Sequence, residues 1–447
     1  MDDLISQLPD DILVSIISRI PTKEALHTRT LSKRWSYLFQ LMPSFRLKLM
    51  CGLLRPSNEI IDGVHRALQR HSVNIRSFYI RCCLTESCTH TLEQCIYSLG
   101  DLGIEKLTLE SFLHYPCPDF DFPFSCHLLS HMPSLKYFKL KWFSLQLNLK
   151  SQCNSLTTLR LSNIRAPLGS LECILSNCLS LRTLTIKMCK VPSKLFFCGP
   201  NLQLKCIALL DCGEALEEIV FEAPNLTTFD FEGYEIINFI FNHVPQLQTI
   251  YISSYHGDMP NFYQRLREKL PHLKTLLLDD CRDLYQDGGI DVGVNMFHNL
   301  KRLELALSYK HSLNMFSLTS VLHACPRLQE FLLSTMIVIY EWPEEEKNIV
   351  SHSHLKYVEL TGFGGSDVEV GFASYILKSA TVLEEMFISW LSSIYVGLGE
   401  WGEGYFPQRS KQWSQVCETI QQMKHQAVSK TAQVVFQKPP RVKPKQF

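Results

Sequence analysis

From Ile75 onward one six-residue pattern, apolar-x-x-apolar-x-apolar, recurs thirteen times. Its first positions are Ile75, Ile104, Leu135, Leu156, Leu181, Leu204, Leu226, Leu247, Leu273, Leu300, Leu328, Leu355 and Leu383, at intervals of 21 to 31 residues. A unit that short cannot bury its own apolar face, so successive units must stack and share one core. Within each unit the last apolar residues alternate with polar ones, as in Leu156-Thr-Thr-Leu159-Arg-Leu161 and Leu300-Lys-Arg-Leu303-Glu-Leu305, which reads as a short strand. The last two apolar residues of each unit then face the core. The residues before, between and after them face the other way. Many units are entered through proline and a polar residue, as in Pro224-Asn225-Leu226 and Pro271-His272-Leu273, a turn leading into a strand. Helical stretches such as 171–177 and 262–270 fall between strands.

The period is that of a leucine-rich repeat. Three residues past the last strand leucine such repeats place Asn or Cys, and here that position holds Cys83, Cys189, Cys212 and Cys281. Phe112, Phe143, Tyr234, Tyr255 and Phe363 stand at the same place in other units, and all nine are expected to turn inward. This accounts for several of the 17 cysteines. The N-terminus Met-Asp-Asp has no basic region before an apolar run. Reduced thiols and a cytoplasmic or nuclear location, or both, are therefore expected. Lys+Arg and Asp+Glu both number 44, which argues against general nucleic-acid binding. No stretch reaches the roughly 18 apolar residues of a membrane span.

Ahead of the repeats, Leu8-Pro9-Asp10-Asp11-Ile12-Leu13-Val14-Ser15-Ile16-Ile17-Ser18-Arg19-Ile20-Pro21 predicts an amphipathic helix capped by Asp10 and stopped by Pro21. Thr22 is expected to cap a second helix with Ala25, Leu26 and Leu31, followed by Ser32-Lys33-Arg34-Trp35 and Leu38. This is more apolar surface than about forty residues bury unaided. The string LISQLPDDILVSIISRIPTKEALHTRTLSKRWSYLF, Leu4 to Phe39, resembles the F-box of the plant F-box/leucine-rich-repeat/FBD proteins. The resemblance implies a three-helix module that binds a Skp-type adaptor and, through it, a cullin-RING ubiquitin ligase. Leu8, Pro9, Ile12, Leu13, Ile16, Leu31, Trp35 and Leu38 are the expected adaptor contacts, with Trp35 as the anchor.

Residues 350–392, with Tyr357-Val358-Glu359-Leu360-Thr361-Gly362-Phe363-Gly364-Gly365 and Leu383-Glu384-Glu385-Met386, resemble the FBD domain of the same family and read as a variant repeat closing the array. The expected organisation is α/β: an F-box over 1–43, a strand and helix connector over 44–74 that caps the repeats, and a leucine-rich-repeat solenoid over 75–350. The solenoid has short parallel strands on a concave face and helices outside. An FBD cap follows over 351–392, then a helix, a strand at 434–436 and a basic tail over 393–447. Within that last stretch 397–404 reads as a loop with an exposed Trp401, and the helix is expected over 410–429.

The outward strand positions are where binding is expected. Lys139, Lys141, Arg160 and Lys187 come first, then Asp230, Glu232, Tyr251, Asp279 and Glu304. Charges of both signs with interspersed aromatics suit a protein partner, and equally suit ordinary solvated strands. No catalytic constellation appears. Cys83, Cys88, His90 and Cys95 match no zinc spacing. Gly362-Phe363-Gly364-Gly365 lacks the lysine of a phosphate loop. The sequence points to a non-catalytic adaptor without cofactor or metal, whose array binds an unidentified protein substrate. A scaffold working outside any ligase and a small-molecule receptor are the alternatives.

Overall fold

In the computed structural model the last apolar residues of the repeats lie on parallel strands in unslipped register. The structure describes residues 4–20, 22–48, 57–69, 71, 74–82, 84, 88–111, 122–146, 153–166, 169–199, 202–213, 215–256, 265–279, 297–307, 312–314, 317–335, 339–341, 350–404 and 413–437. The chain forms two compact units, Met1–Leu216 and Glu217–Phe447, and each carries its own ladder.

In the first unit the ladder runs through Ser44–Lys48, Ser77–Cys82, Lys106–Ser111, Tyr137–Gln146, Thr158–Arg165, Thr183–Lys187 and Cys206–Leu210. All six repeats expected there supply a strand. The ladder also begins one strand earlier than the repeat pattern. Ser44–Lys48, expected as part of a connector, pairs with Ser77–Cys82 through Phe45↔Phe78 and so is itself a rung. Phe78, Leu107, Phe138, Leu159, Leu184 and Ile207 lie side by side across the ladder and are buried. The helix expected over 57–72 is Ser57–Gln69, and it packs on the helix Thr89–Asp101.

The second unit repeats the plan through Thr228–Glu235, Thr249–His256, Thr275–Asp279, Arg302–Leu307, Glu330–Thr335, Tyr357–Thr361 and Glu385–Ser389. Here too the ladder outruns the pattern: Gln433–Phe436 lies parallel on Glu385–Ser389. The segment resembling an FBD domain is therefore followed by a further rung. The C-terminal helix, expected over 410–429, is Trp413–Met423. The basic run 438–445 lies outside the described residues.

A local backbone device makes the repeats work. Trp142, Asn163, Met188 and Asp211 stand two residues past the last core residue of four successive strands, and all four have φ between 51° and 61°. A left-handed residue reverses the side-chain alternation, so the next residue turns back into the core. Those next residues are Phe143, Ile164, Cys189 and Cys212, all buried. Gly362 plays the same part with φ 72°, and Phe363 follows it inward. Where the device is missing the expectation fails. Gly233 has no left-handed φ, the strand runs on to Glu235, and Tyr234 points out, 57% exposed. Of the other inward candidates, Cys83, Phe112 and Cys281, and the side chain of Tyr255, lie outside the described residues.

Left-handed backbone costs a residue with a Cβ roughly 1–2 kcal/mol. Exposed Met188 has that strain without evident compensation. Met188→Gly is expected to raise stability by about 0.5–1 kcal/mol, measured by thermal or urea unfolding. Gly362→Ala is expected to lower it by more than about 2 kcal/mol, because the added Cβ meets the backbone carbonyl of Thr335 as well.

Candidate protein-interaction surfaces

The N-terminal module consists of helices α1 (Asp10–Ile17), α2 (Thr22–Thr28) and α3 (Lys33–Gln40). Pro9, not Asp10, is the N-cap residue of α1, and no side chain caps that end. The Asp10 carboxylate instead accepts from Arg34 Nε at 2.9 Å and Nη2 at 2.6 Å. Arg34 also donates to the carbonyls of Leu8, at 2.7 Å, and Ser6, so one guanidinium ties the chain entry to α3. Ser32 caps α3 by accepting from the Trp35 N–H at 3.3 Å.

These ties decide which apolar residues face inward. Leu13, Ile17, Ala25, Leu38 and Phe39 are buried in the module, as is Trp35, whose indole N–H donates to Ser6 Oγ at 3.0 Å. Leu13, Trp35 and Leu38 were expected as partner contacts. They close the module's own core instead. The apolar surface left open includes Ile12 (44% exposed), Ile16 (43%), Leu26 (47%) and Leu31 (65%), with Leu4, Ile5, Ile20 and Tyr37. Ile12 and Ile16 stand one turn apart on α1 and share a stripe. Pro9 is exposed and Leu8 half-buried.

On the first unit's ladder, two of the three rows of outward positions, those between and after the core pair, carry most of the charge. One contains Arg46, Tyr79, Thr108, Lys139, Arg160 and Thr185. The next contains Arg81, Glu110, Lys141, Ser162 and Lys187. All four cations predicted here lie on this face and are half-buried. Glu110 accepts from Lys139 Nζ at 2.7 Å and from the Tyr79 hydroxyl at 3.2 Å, and Arg81 Nε stands 3.8 Å away. Burial pushes the Glu110 carboxyl up, but Lys139, the Tyr79 hydroxyl and Lys141 together outweigh it and hold the group below its usual range.

Part of the second unit's outward face is covered. The corresponding row there is Asp230, Tyr251, Leu277, Glu304, Leu332, Glu359 and Phe387. The stretch expected as a loop is an antiparallel hairpin, Ser393–Gly397 with Glu400–Glu403, and it lies on this row. Leu398 and Gly399 at its tip both have left-handed φ, the geometry of a tight two-residue hairpin turn. The Tyr395 hydroxyl donates to Asp230 Oδ2 at 3.0 Å, and the Leu398 N–H donates to the same oxygen. The Trp401 indole donates to Glu304 Oε2 at 2.8 Å. The Ser334 hydroxyl donates to the Ser393 carbonyl at 2.6 Å. Tyr251 and Tyr395 pack ring on ring at 5.6 Å. Asp230 and Glu304 are consequently 0% and 3% exposed, and Leu277 is buried with them. Burial, then the Asp230 charge, push the Tyr395 phenol up. Asp230, Tyr251 and Glu304 were expected as substrate contacts. They are the seat of the hairpin. Trp401, expected to be exposed, is half-buried. Glu232 and Asp279 remain half-exposed, and Asp279 accepts from Ser253 Oγ at 3.0 Å.

The reactive-looking groups have structural roles. Cys88 and Cys95 are buried, and burial pushes the Cys95 thiol up to about 12. Cys189 and Cys212 are pushed up to about 11 and about 12 for the same reason. Such thiols are protonated and poor nucleophiles. No cluster of His, Cys, Asp and Glu among the described residues is arranged to hold a metal. In the glycine loop the N–H groups of Gly364 and Ser366 donate to the carboxylate of Glu369, at 3.0 and 2.8 Å, so an internal anion takes the place a phosphate would need.

Two families match this chain. It matches the F-box domain over residues 5–47 and the family described as At1g61320/AtMIF1, LRR domain, over residues 67–440. The chain belongs to the F-box/leucine-rich-repeat family. It is 28% identical over 413 residues to the FBD-associated F-box protein At5g60610 of Arabidopsis thaliana, covering 87% of this chain and all of that one. It is 25% identical over 406 residues to the Arabidopsis F-box/FBD/LRR-repeat protein At5g56420, covering 87% and 91%. The repeat match runs to residue 440. It takes in the segment resembling an FBD domain, the hairpin and the last rung of this F-box/leucine-rich-repeat protein.

Tyr395→Phe keeps the ring and removes the hydroxyl that satisfies buried Asp230. It is expected to cost about 1–3 kcal/mol. Combined with Asp230→Asn, the loss is expected to be less than the sum of the two, as a double-mutant cycle of urea unfolding will read.

Proposed function

We propose that this protein is the substrate-recognition subunit of a Skp-cullin-F-box ubiquitin ligase. Its F-box binds a Skp-type adaptor and, through it, a cullin-RING complex. Its strand array binds a protein substrate. The observation that supports this best is that Ile12, Ile16, Leu26 and Leu31 stay exposed after the module has completed its own core. Apolar side chains left open along one helix stripe, as Ile12 and Ile16 are, mark a protein interface. The family membership supplies the class of partner.

In this reading the chain contributes position and no proton or nucleophile. Binding raises the local concentration of substrate lysines beside an activated ubiquitin delivered elsewhere in the complex. The work takes place in the cytoplasm, the nucleus or both.

The module's anatomy separates two kinds of variant. Ile12→Glu with Ile16→Glu alters exposed side chains and is expected to reduce adaptor co-purification at least tenfold with thermal unfolding unchanged. Trp35→Ala is expected to lose the adaptor by a different route. It removes a core residue, at about 3–5 kcal/mol, and the module melts. Full adaptor binding by the double glutamate variant would refute the assignment of this face.

A further inference from the structure

Two of the outward rows of the first unit carry six cations whose side chains are described: Arg46, Arg81, Lys139, Lys141, Arg160 and Lys187. The one carboxylate among the described residues of these two rows is Glu110, whose charge Lys139 already meets at 2.7 Å. The whole chain has zero net charge, so this excess is local to the strip. It is also spread out. Neighbouring strands are about 4.8 Å apart, and five steps separate the strand of Arg46 from that of Lys187, a length of about 24 Å.

Two polar atoms near one end of the strip are buried without a hydrogen-bond partner: Arg160 Nε and Thr185 Oγ1. They belong to residues directly paired across adjacent strands. Thr185 is only 5% exposed. Desolvated donors without acceptors are costly, and such a pair calls for one. Both groups can donate, and a single carboxylate oxygen pair can accept from both.

We propose that this ribbon is the docking surface for an Asp/Glu-rich segment of the partner protein, with one of its carboxylates seated between Arg160 and Thr185. The proposal rests on the substrate-adaptor reading and names the chemistry of its substrate. The spread of the cations selects this occupant. A single phosphate or other small anion would meet two or three of them. An extended segment of about seven residues, at about 3.3 Å each, spans the whole strip. Carboxylates at alternate positions would then recur along it. Arg160 beside Lys139 gives one strong anchor, and Lys141 and Lys187 supply further points on the second row. A nucleic-acid backbone, by contrast, finds no long-range attraction in a chain of zero net charge.

The test uses full-length protein and a fluorescein-labelled octapeptide with Asp or Glu at alternate positions, followed by fluorescence anisotropy. The peptide is expected to bind at least tenfold tighter than its lysine counterpart, and more weakly as salt rises. Arg160→Glu with Lys187→Glu is expected to reduce affinity at least tenfold, and Arg160→Gln with Lys187→Gln by less. Lys356→Glu, on the second unit, is expected to change nothing. Unfolding temperatures confirm that each variant is folded. The proposal is overturned if the folded charge-reversed protein keeps its affinity. It is equally overturned if a single-stranded DNA of equal charge, or a one-phosphoserine peptide with no other acid, binds tighter than the acidic octapeptide. Adaptor co-purification is measured on the same variants and is expected to stay intact. Loss of the adaptor only in Ile12 and Ile16 variants, with peptide binding retained, keeps the two readings separate.

Discussion

Every rung of this protein depends on the backbone of the next. A parallel strand of five or six residues has donors and acceptors on both edges, and neither edge is satisfied within its own repeat. Stacking supplies the partners and, in the same step, covers the leucines. That requirement explains why both ladders outrun the apolar pattern. Ser44–Lys48 pairs with the first repeat of one unit and Gln433–Phe436 with the last repeat of the other. A repeat motif marks where side chains fill a core. The hydrogen bonds extend to whatever strand can lie alongside.

The left-handed residue after the strand is the second constraint. It lets Phe143, Ile164, Cys189 and Cys212 return to the core within two residues of an outward-facing position. Side chains that face outward are then confined to a short run per repeat, and their register makes rows. Electrostatics follow from that geometry. Two neighbouring rows that together carry about one cation per strand spacing are a linear feature, suited to a linear ligand. The hairpin shows what else a row can hold. Its tyrosine and tryptophan bring donors to buried acids, so the protein satisfies one of its faces from its own chain.

Much of this was legible in the sequence. The spacing of Leu, Ile and Phe located thirteen strands and the side of each that faces the core, because the period of two is a property of the pleat. Cys189 and Cys212 were legible from the Asn-or-Cys position of the repeat, not from the pleat, since the left-handed residue before each reverses the alternation. Tyr234 was not, since its direction depends on the φ of Gly233, and glycine is compatible with either sign. Leu13 and Trp35 could not be told from Ile12 and Leu31 by type. The core and the partner select the same kind of side chain, and the choice is fixed by α1 and α3 meeting through Arg34. The hairpin was partly visible: Tyr395 and Trp401 flank Gly397-Leu398-Gly399, a tight turn between short alternating stretches. What it would lie on was not visible, because Asp230 and Tyr395 are 165 positions apart.

That separation has a kinetic consequence. Rungs form between neighbours some 21 to 31 residues apart and can zip as the chain lengthens, whereas the hairpin must close a loop several times longer. During synthesis Asp230 and Glu304 emerge long before Tyr395 and Trp401 exist. The hairpin can cover those acids only after residues 393–403 have been made. Premature release of the chain before residue 393 would leave a ladder whose acidic row never closes.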